Sequence, residues 1–138
     1  MKVVLDTNVL LVSLPKQSPF RIIFDELLNG KFELLISNEI VSEYLEIIER
    51  KTNQSIAKNV VEAVLNLPNS TESKIFYQWG LITKDPDDNK FVDLAISGNA
   101  DFIVTNDKHF DILKTLDFPK VKSITINEFK AVLNLSSK

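Results

Sequence analysis

Three short aliphatic runs, Val3-Val4-Leu5, Phe32 to Ile36 and Phe102 to Thr105, are separated by segments of helical periodicity, and this alternation narrows the folds open to the chain. Strands that alternate with helices pair in parallel through right-handed crossovers. The pattern predicts an α/β fold around a mostly parallel sheet of about five strands, counting further runs at Lys74 to Tyr77 and Val121 to Ile126. In such sheets ligands bind outside the carboxyl ends of the strands. The first run is followed at once by Asp6-Thr7-Asn8, and the third by Asn106-Asp107. Taken alone, Asp6 reads more readily as a cap for the next turn, and Asp107 reads equally well as one.

The intervening segments carry helix signals. A short helix is expected over Val9 to Val12. Ser18-Pro19 has the form of a cap followed by proline at the first helical position, with Ile22, Ile23, Leu27 and Leu28 facing the core and Gly30 as the stop. Ser37 is placed to cap a helix from Asn38 to about Lys51, and Gln54 to Leu67 follows as another. Asp85-Pro86 repeats the cap-and-proline start for a helix through about Ser97, with Gly98-Asn99 ending it. Helices over Lys108 to Leu116 and Asn127 to Leu135 complete the chain. No linker, repeat or low-complexity stretch interrupts it, so residues 1–138 are expected to form one domain.

Helix phase selects which acids can join Asp6. Ile40, Val41, Tyr44, Leu45, Ile47 and Ile48 form one stripe, with Glu43 at its edge beside Ile47, while Glu39, Glu46 and Glu49 point further away. Phe91, Val92 and Ala95 stand three, four and seven positions after Asp88, which puts Asp88 on the buried face and Asp93 on the solvated one. Asp101 precedes its strand and belongs at the opposite end of the sheet. Glu43 can equally be a solvated boundary residue, and Asp88 a first-turn acid favoured by the helix dipole.

Together, Asp6, Glu43, Asp88 and Asp107 are expected at one sheet edge. Crowded carboxylates repel one another unless protons or a cation neutralise them. The chain has no cysteine and one histidine, so the ligands available to a metal are mainly oxygens, which suit Mg²⁺ or Mn²⁺. Such an ion activates water and neutralises phosphoryl oxygens, the chemistry of phosphodiester hydrolysis. The sequence holds no G-x-S-x-G elbow or glycine-rich phosphate loop among its 3 glycines. The longest apolar run near the start is broken by Asp6 and Asn8, so neither a signal peptide nor a membrane span is expected and a cytoplasmic location is. A net charge of -3 argues against a generally basic nucleic-acid surface.

Val4-Leu5-Asp6-Thr7-Asn8, Ser37 with Glu43, Asp85-Pro86-Asp87-Asp88-Asn89-Lys90-Phe91 through Ala95, and Ala100 to Asp107 make the chain resemble the PIN-domain family of metal-dependent ribonucleases. The family includes toxins of type II toxin-antitoxin systems, and the D-P-D-D-N-K-F form of the third motif is similar to one branch of them. The resemblance runs from Lys2 to about Ile126. It implies a three-layer α/β/α sandwich in which Asp6, Glu43, Asp88 and Asp107 hold one or two Mg²⁺ or Mn²⁺ ions. It further implies metal-activated attack of water on RNA, with Thr7, Asn8 and Thr105 supporting the ligands. A homodimer and a cognate antitoxin partner are implied as well. Asn106, and the extra acids Asp85 and Asp87, depart from the familiar toxins and leave the metal count and the third-motif ligand open.

Lys84, Lys90 and Lys108 lie near the motifs and are candidate RNA phosphate contacts, with Lys16 and Arg21 behind them, although each also reads as a solvated side chain. His109, beside a lysine in a loop, is expected to be exposed and without a chemical role. Among rivals, a HAD-type phosphatase requires a second Asp where Asn8 stands, and a receiver domain has no use for Glu43 on a helix. A PIN nuclease of RNA processing that is not a toxin, and a PIN fold used for protein interaction without turnover, are the alternatives that remain.

Overall fold

The structure, a computed structural model, describes residues 1–136. In chain order it has β1 (Lys2–Leu5), α1 (Thr7–Ser13), α2 (Arg21–Leu28), β2 (Glu33–Ile36), α3 (Asn38–Lys51), α4 (Gln54–Leu65) and β3 (Ser70–Glu72). A 3-10 turn (Pro86–Asp88) leads into α5 (Asn89–Ser97), followed by β4 (Phe102–Val104), a 3-10 helix (Lys108–Thr115), β5 (Ser123–Ile124) and α6 (Ile126–Ser136). The strands form one sheet in the order β3-β2-β1-β4-β5, and every pairing is parallel. Val3, Val4 and Leu5 are all 0% exposed. Successive strand side chains point to opposite faces, so burial of all three requires cover on both faces, the three-layer α/β/α arrangement.

The chain winds outward from β1 through β2 to β3, then returns to lay β4 against the other side of β1. The carboxyl ends of β1 and β4 therefore meet at the point where the strand order reverses, the place where open α/β sheets leave a crevice. Val3, Val4 and Leu5 are in register with Phe102, Ile103 and Val104, and the Asp6 amide donates to the Val104 carbonyl at 3.1 Å.

Several elements differ from the sequence expectations for identifiable reasons. The third strand lies at Ser70–Glu72, not at Lys74 to Tyr77. Pro68-Asn69-Ser70 has turn composition, yet the Asn69 side-chain Nδ2 donates to the carbonyls of Leu27 and Phe32 at 3.0 and 2.7 Å, tying the strand entry to its neighbours. Phe76 and Tyr77 instead face solvent, at 88% and 64% exposure. The last strand shrinks to Ser123–Ile124. The second helix begins at Arg21, because Ser18 accepts from the Phe20 amide and closes a separate turn first. Leu28 and Leu45 sit on the outer faces of their helices, at the flanks of stripes whose buried centres are Ile23, Phe24 and Leu27 in one and Ile40, Tyr44 and Ile48 in the other.

Asp93 is buried rather than solvated, since the irregular segment after β3 folds over α5 and the Trp79 amide donates to it at 3.1 Å. Burial raises its pKa, the Trp79 bond opposes this, and the Glu39 charge adds to the rise. Gly98 ends α5 as expected but has an ordinary φ of -90, and Asn99, at φ 54, takes the left-handed conformation. The need for glycine at 98 is steric, because a Cβ there would lie 2.6 Å from Leu35 Cδ1 and 2.9 Å from Ser73 Oγ. Among the described residues, no helix is long and apolar enough to cross a membrane.

Candidate functional site

Asp6 follows β1 directly and is 9% exposed. Its Oδ1 accepts from the Asn8 amide at 3.4 Å, so the cap role anticipated for it is real. Its other oxygen is held differently: the Thr105 hydroxyl donates to Oδ2 at 2.7 Å. That hydroxyl also accepts from the Asp107 amide at 3.0 Å, so one threonine fixes two acids on neighbouring strand ends. Burial raises the Asp6 pKa, bonds from Thr105 and Asn8 oppose the rise, and the charges of Asp107 and Glu43 add to it. Capping and proximity to other acids coexist here, since a cap needs one oxygen and leaves its remaining lone pairs.

Asp107 in turn caps the 3-10 helix, accepting from the His109 amide at 2.8 Å. Asp88 ends the turn that Asp85 opens. Its pKa is raised to about 7, first by burial, then by the charges of Asp107 and Asp85, with Asp6 contributing less. Its Oδ2 is a buried oxygen with no hydrogen-bond partner. The structure thus brings Asp6, Asp88 and Asp107 into mutual electrostatic range, next to a cleft of about 340 Å³ lined by Asp6, Asn8, Asn106 and Asp107. Asp101 lies at the other end of the sheet as expected, accepting from the Lys2 amide at 2.7 Å.

Glu43 faces inward from α3, close enough to raise the pKa of Asp6, but its carboxylate is already engaged. Thr7 donates to its Oε2, and the Lys90 ammonium lies 2.5 Å from its Oε1. Lys90 also pairs with Asp87 at 2.9 Å and is buried, so it is an internal counter-ion rather than a phosphate contact. The spacing from Asp88 hides this, because α5 begins only at Asn89 and turns Lys90 inward beside Phe91. Burial works to lower the Lys90 pKa, yet bonds to Glu43 and Asp87 outweigh it and leave the value raised. Lys84 and Lys108 are exposed and share a second cleft, about 320 Å³, with His109.

Two residues acquire importance that their sequence context did not give them. Tyr44 is buried with its hydroxyl donating to the Leu5 carbonyl at 2.6 Å, immediately before Asp6. His109 is not a free loop residue: its Nδ1 lies 3.3 Å from Asp107 Oδ1, 3.5 Å from Asp88 Oδ2 and 4.0 Å from Asp85 Oδ2. Ligand atoms of Asp85, Asp88 and His109 fall within 4.8 Å of one another, a grouping suited to a cation. The orphaned, buried Asp88 oxygen fits the same need, since a charge so placed calls for a partner. The signal for His109 was its position two residues after Asp107, where the capping bond draws it in.

The chain matches a family model described as PIN domain over residues 2–109. No curated protein matches it. A solved structure similar to it is the crystal structure of VapBC2 from Rickettsia felis bound to a DNA fragment from their promoter, with a TM-score of 0.63 and 19% identity, covering 91% of this chain and 98% of that chain. At that identity the likeness is one of fold.

Proposed function

The chain belongs to the PIN-domain family, and on that premise we propose that it is a divalent-metal-dependent endoribonuclease acting as the toxin of a toxin-antitoxin pair. The observation that carries the reading is the convergence of Asp6, Asp88 and Asp107 where β1 and β4 end, with a buried Asp88 oxygen left unpaired. When bound, Mg²⁺ or Mn²⁺ supplies Lewis-acid charge neutralisation at phosphoryl oxygen and makes water more acidic.

The residues around that position have separable roles. Asp6 would be the central ligand, oriented by Thr105 and the Asn8 amide, and Asp88 and Asp107 would complete the oxygen set. Glu43, restrained by Thr7 and Lys90, presents a fixed carboxylate at the margin of the site, suited to orienting water. Lys84 and Lys108 flank the adjoining cleft and are the exposed cations placed to meet RNA phosphates. A cytoplasmic location, a homodimer and a cognate antitoxin belong to this reading, and the fold shared with a chain of the VapBC2 complex supports the last of these.

Purified protein should cleave single-stranded RNA with Mg²⁺ or Mn²⁺, and EDTA or Asp6→Asn should stop it. Cleavage that persists through both would sink the mechanism. A neighbouring reading frame for a small DNA-binding protein with a basic tail would separate a toxin from a nuclease of RNA processing.

A further inference from the structure

We propose that His109 donates Nδ1 to the bound cation, making the site a mixed nitrogen and oxygen one that selects Mn²⁺ or a similar transition ion over Mg²⁺. The inference rests on the metal-dependent reading above and adds a ligand and a selectivity to it. Nδ1 is buried and has no hydrogen-bond partner, as does Asp88 Oδ2, 3.5 Å away. An orphaned nitrogen and an orphaned oxygen facing each other are costly unless something sits between them.

The distances favour a shared ion over direct contact. Charge-assisted N–H···O bonds run at about 2.7–2.9 Å, shorter than the 3.3, 3.5 and 4.0 Å separations around Nδ1. Two ligands at about 2.1 Å from one octahedral ion lie about 3 Å apart when adjacent and about 4 Å apart when opposite. The backbone of His109 is fixed beside the acids, because its amide donates to Asp107 Oδ1 at 2.8 Å. Imidazole suits transition ions, whereas Mg²⁺ strongly prefers oxygen, so a nitrogen ligand tilts selectivity.

His109 is the only histidine of the chain, so histidine labelling reports on one ring. The Mn²⁺-loaded protein should show electron-spin-echo modulation from a directly bound ¹⁴N, replaced by the ¹⁵N pattern after [¹⁵N]histidine labelling. In His109→Gln the Mn²⁺ affinity should fall about 10–100-fold, with Mg²⁺ affected less, so the preference for Mn²⁺ narrows. Mn²⁺ that binds and supports RNA cleavage without nitrogen coupling would overturn the inference and leave the nuclease standing, with His109 then only a counter-ion. If the protein binds no divalent ion at all, both readings fail. The labelled wild-type measurement keeps the test valid even should the variant misfold.

Discussion

The Thr105 hydroxyl joins two acids, donating to Asp6 Oδ2 at 2.7 Å and accepting from the Asp107 amide at 3.0 Å. Because the hydroxyl proton is committed to Asp6, its lone pairs are left for the amide, and both side chains are fixed by one group. Thr105→Val keeps the shape and removes both bonds. Metal affinity measured by calorimetry should fall about 10–100-fold, as for other groups that orient ligands. Urea unfolding should show a loss of only about 1–2 kcal/mol.

Asp6→Asn is expected to abolish cleavage, exceeding the roughly 100-fold cost of losing an outer support. Its amide oxygen can still take the cap bond from the Asn8 amide, so far-ultraviolet circular dichroism should be unchanged.

Lys90→Met leaves the half-buried Glu43 without its cation and should destabilise the fold by about 1–3 kcal/mol in denaturant titrations. Adding Glu43→Gln to that variant should recover part of the loss. Additive effects of the two substitutions would show that the pair is not coupled.

Asp88, pushed up to about 7 from an ordinary 3.8, links the metal-free protein to pH. Its folded value lies above the unfolded one, so its contribution to stability is full below about pH 4 and is lost as pH rises through about 7. Midpoints of urea unfolding without metal should therefore decline from about pH 5 to 8, and Asp88→Asn should flatten the decline. Divalent-ion affinity should move the opposite way, strengthening as the proton leaves.

Gly98→Ala should cost about 1–3 kcal/mol, because the new methyl meets Leu35, itself buried at 1% exposure. Thermal melts should separate this steric loss from that of Gly30→Ala, where nothing lies near a Cβ but φ is 74, so the cost there is backbone strain alone.

The strand-to-acid junctions at Asp6 and Asp107 were legible in the sequence because a parallel sheet turns local order into spatial order. Helix phase similarly placed Glu43 and Ser37, whose cap on the Ile40 amide is present. What stayed hidden depended on irregular backbone. The irregular segment between β3 and Asp85 folds over α5 and buries Asp93, whereas the start at Asp85-Pro86 was readable from its cap and proline. Lys90 carried the mark of a surface residue, and only the ion pairs to Glu43 and Asp87 reveal an internal one. The surroundings of His109 are set by three acids, two of them remote in the chain, which its neighbours in sequence do not reveal.

The strand order β3-β2-β1-β4-β5 also has a temporal consequence. β1 is made first, but the strand that completes the site beside it ends at Val104, with Thr105 and Asp107 beyond. During synthesis the N-terminal half can assemble β1, β2 and β3 while one flank of Asp6 still lacks its neighbours. A chain still being translated therefore holds an unfinished centre until β4 and the acid that follows it have left the ribosome.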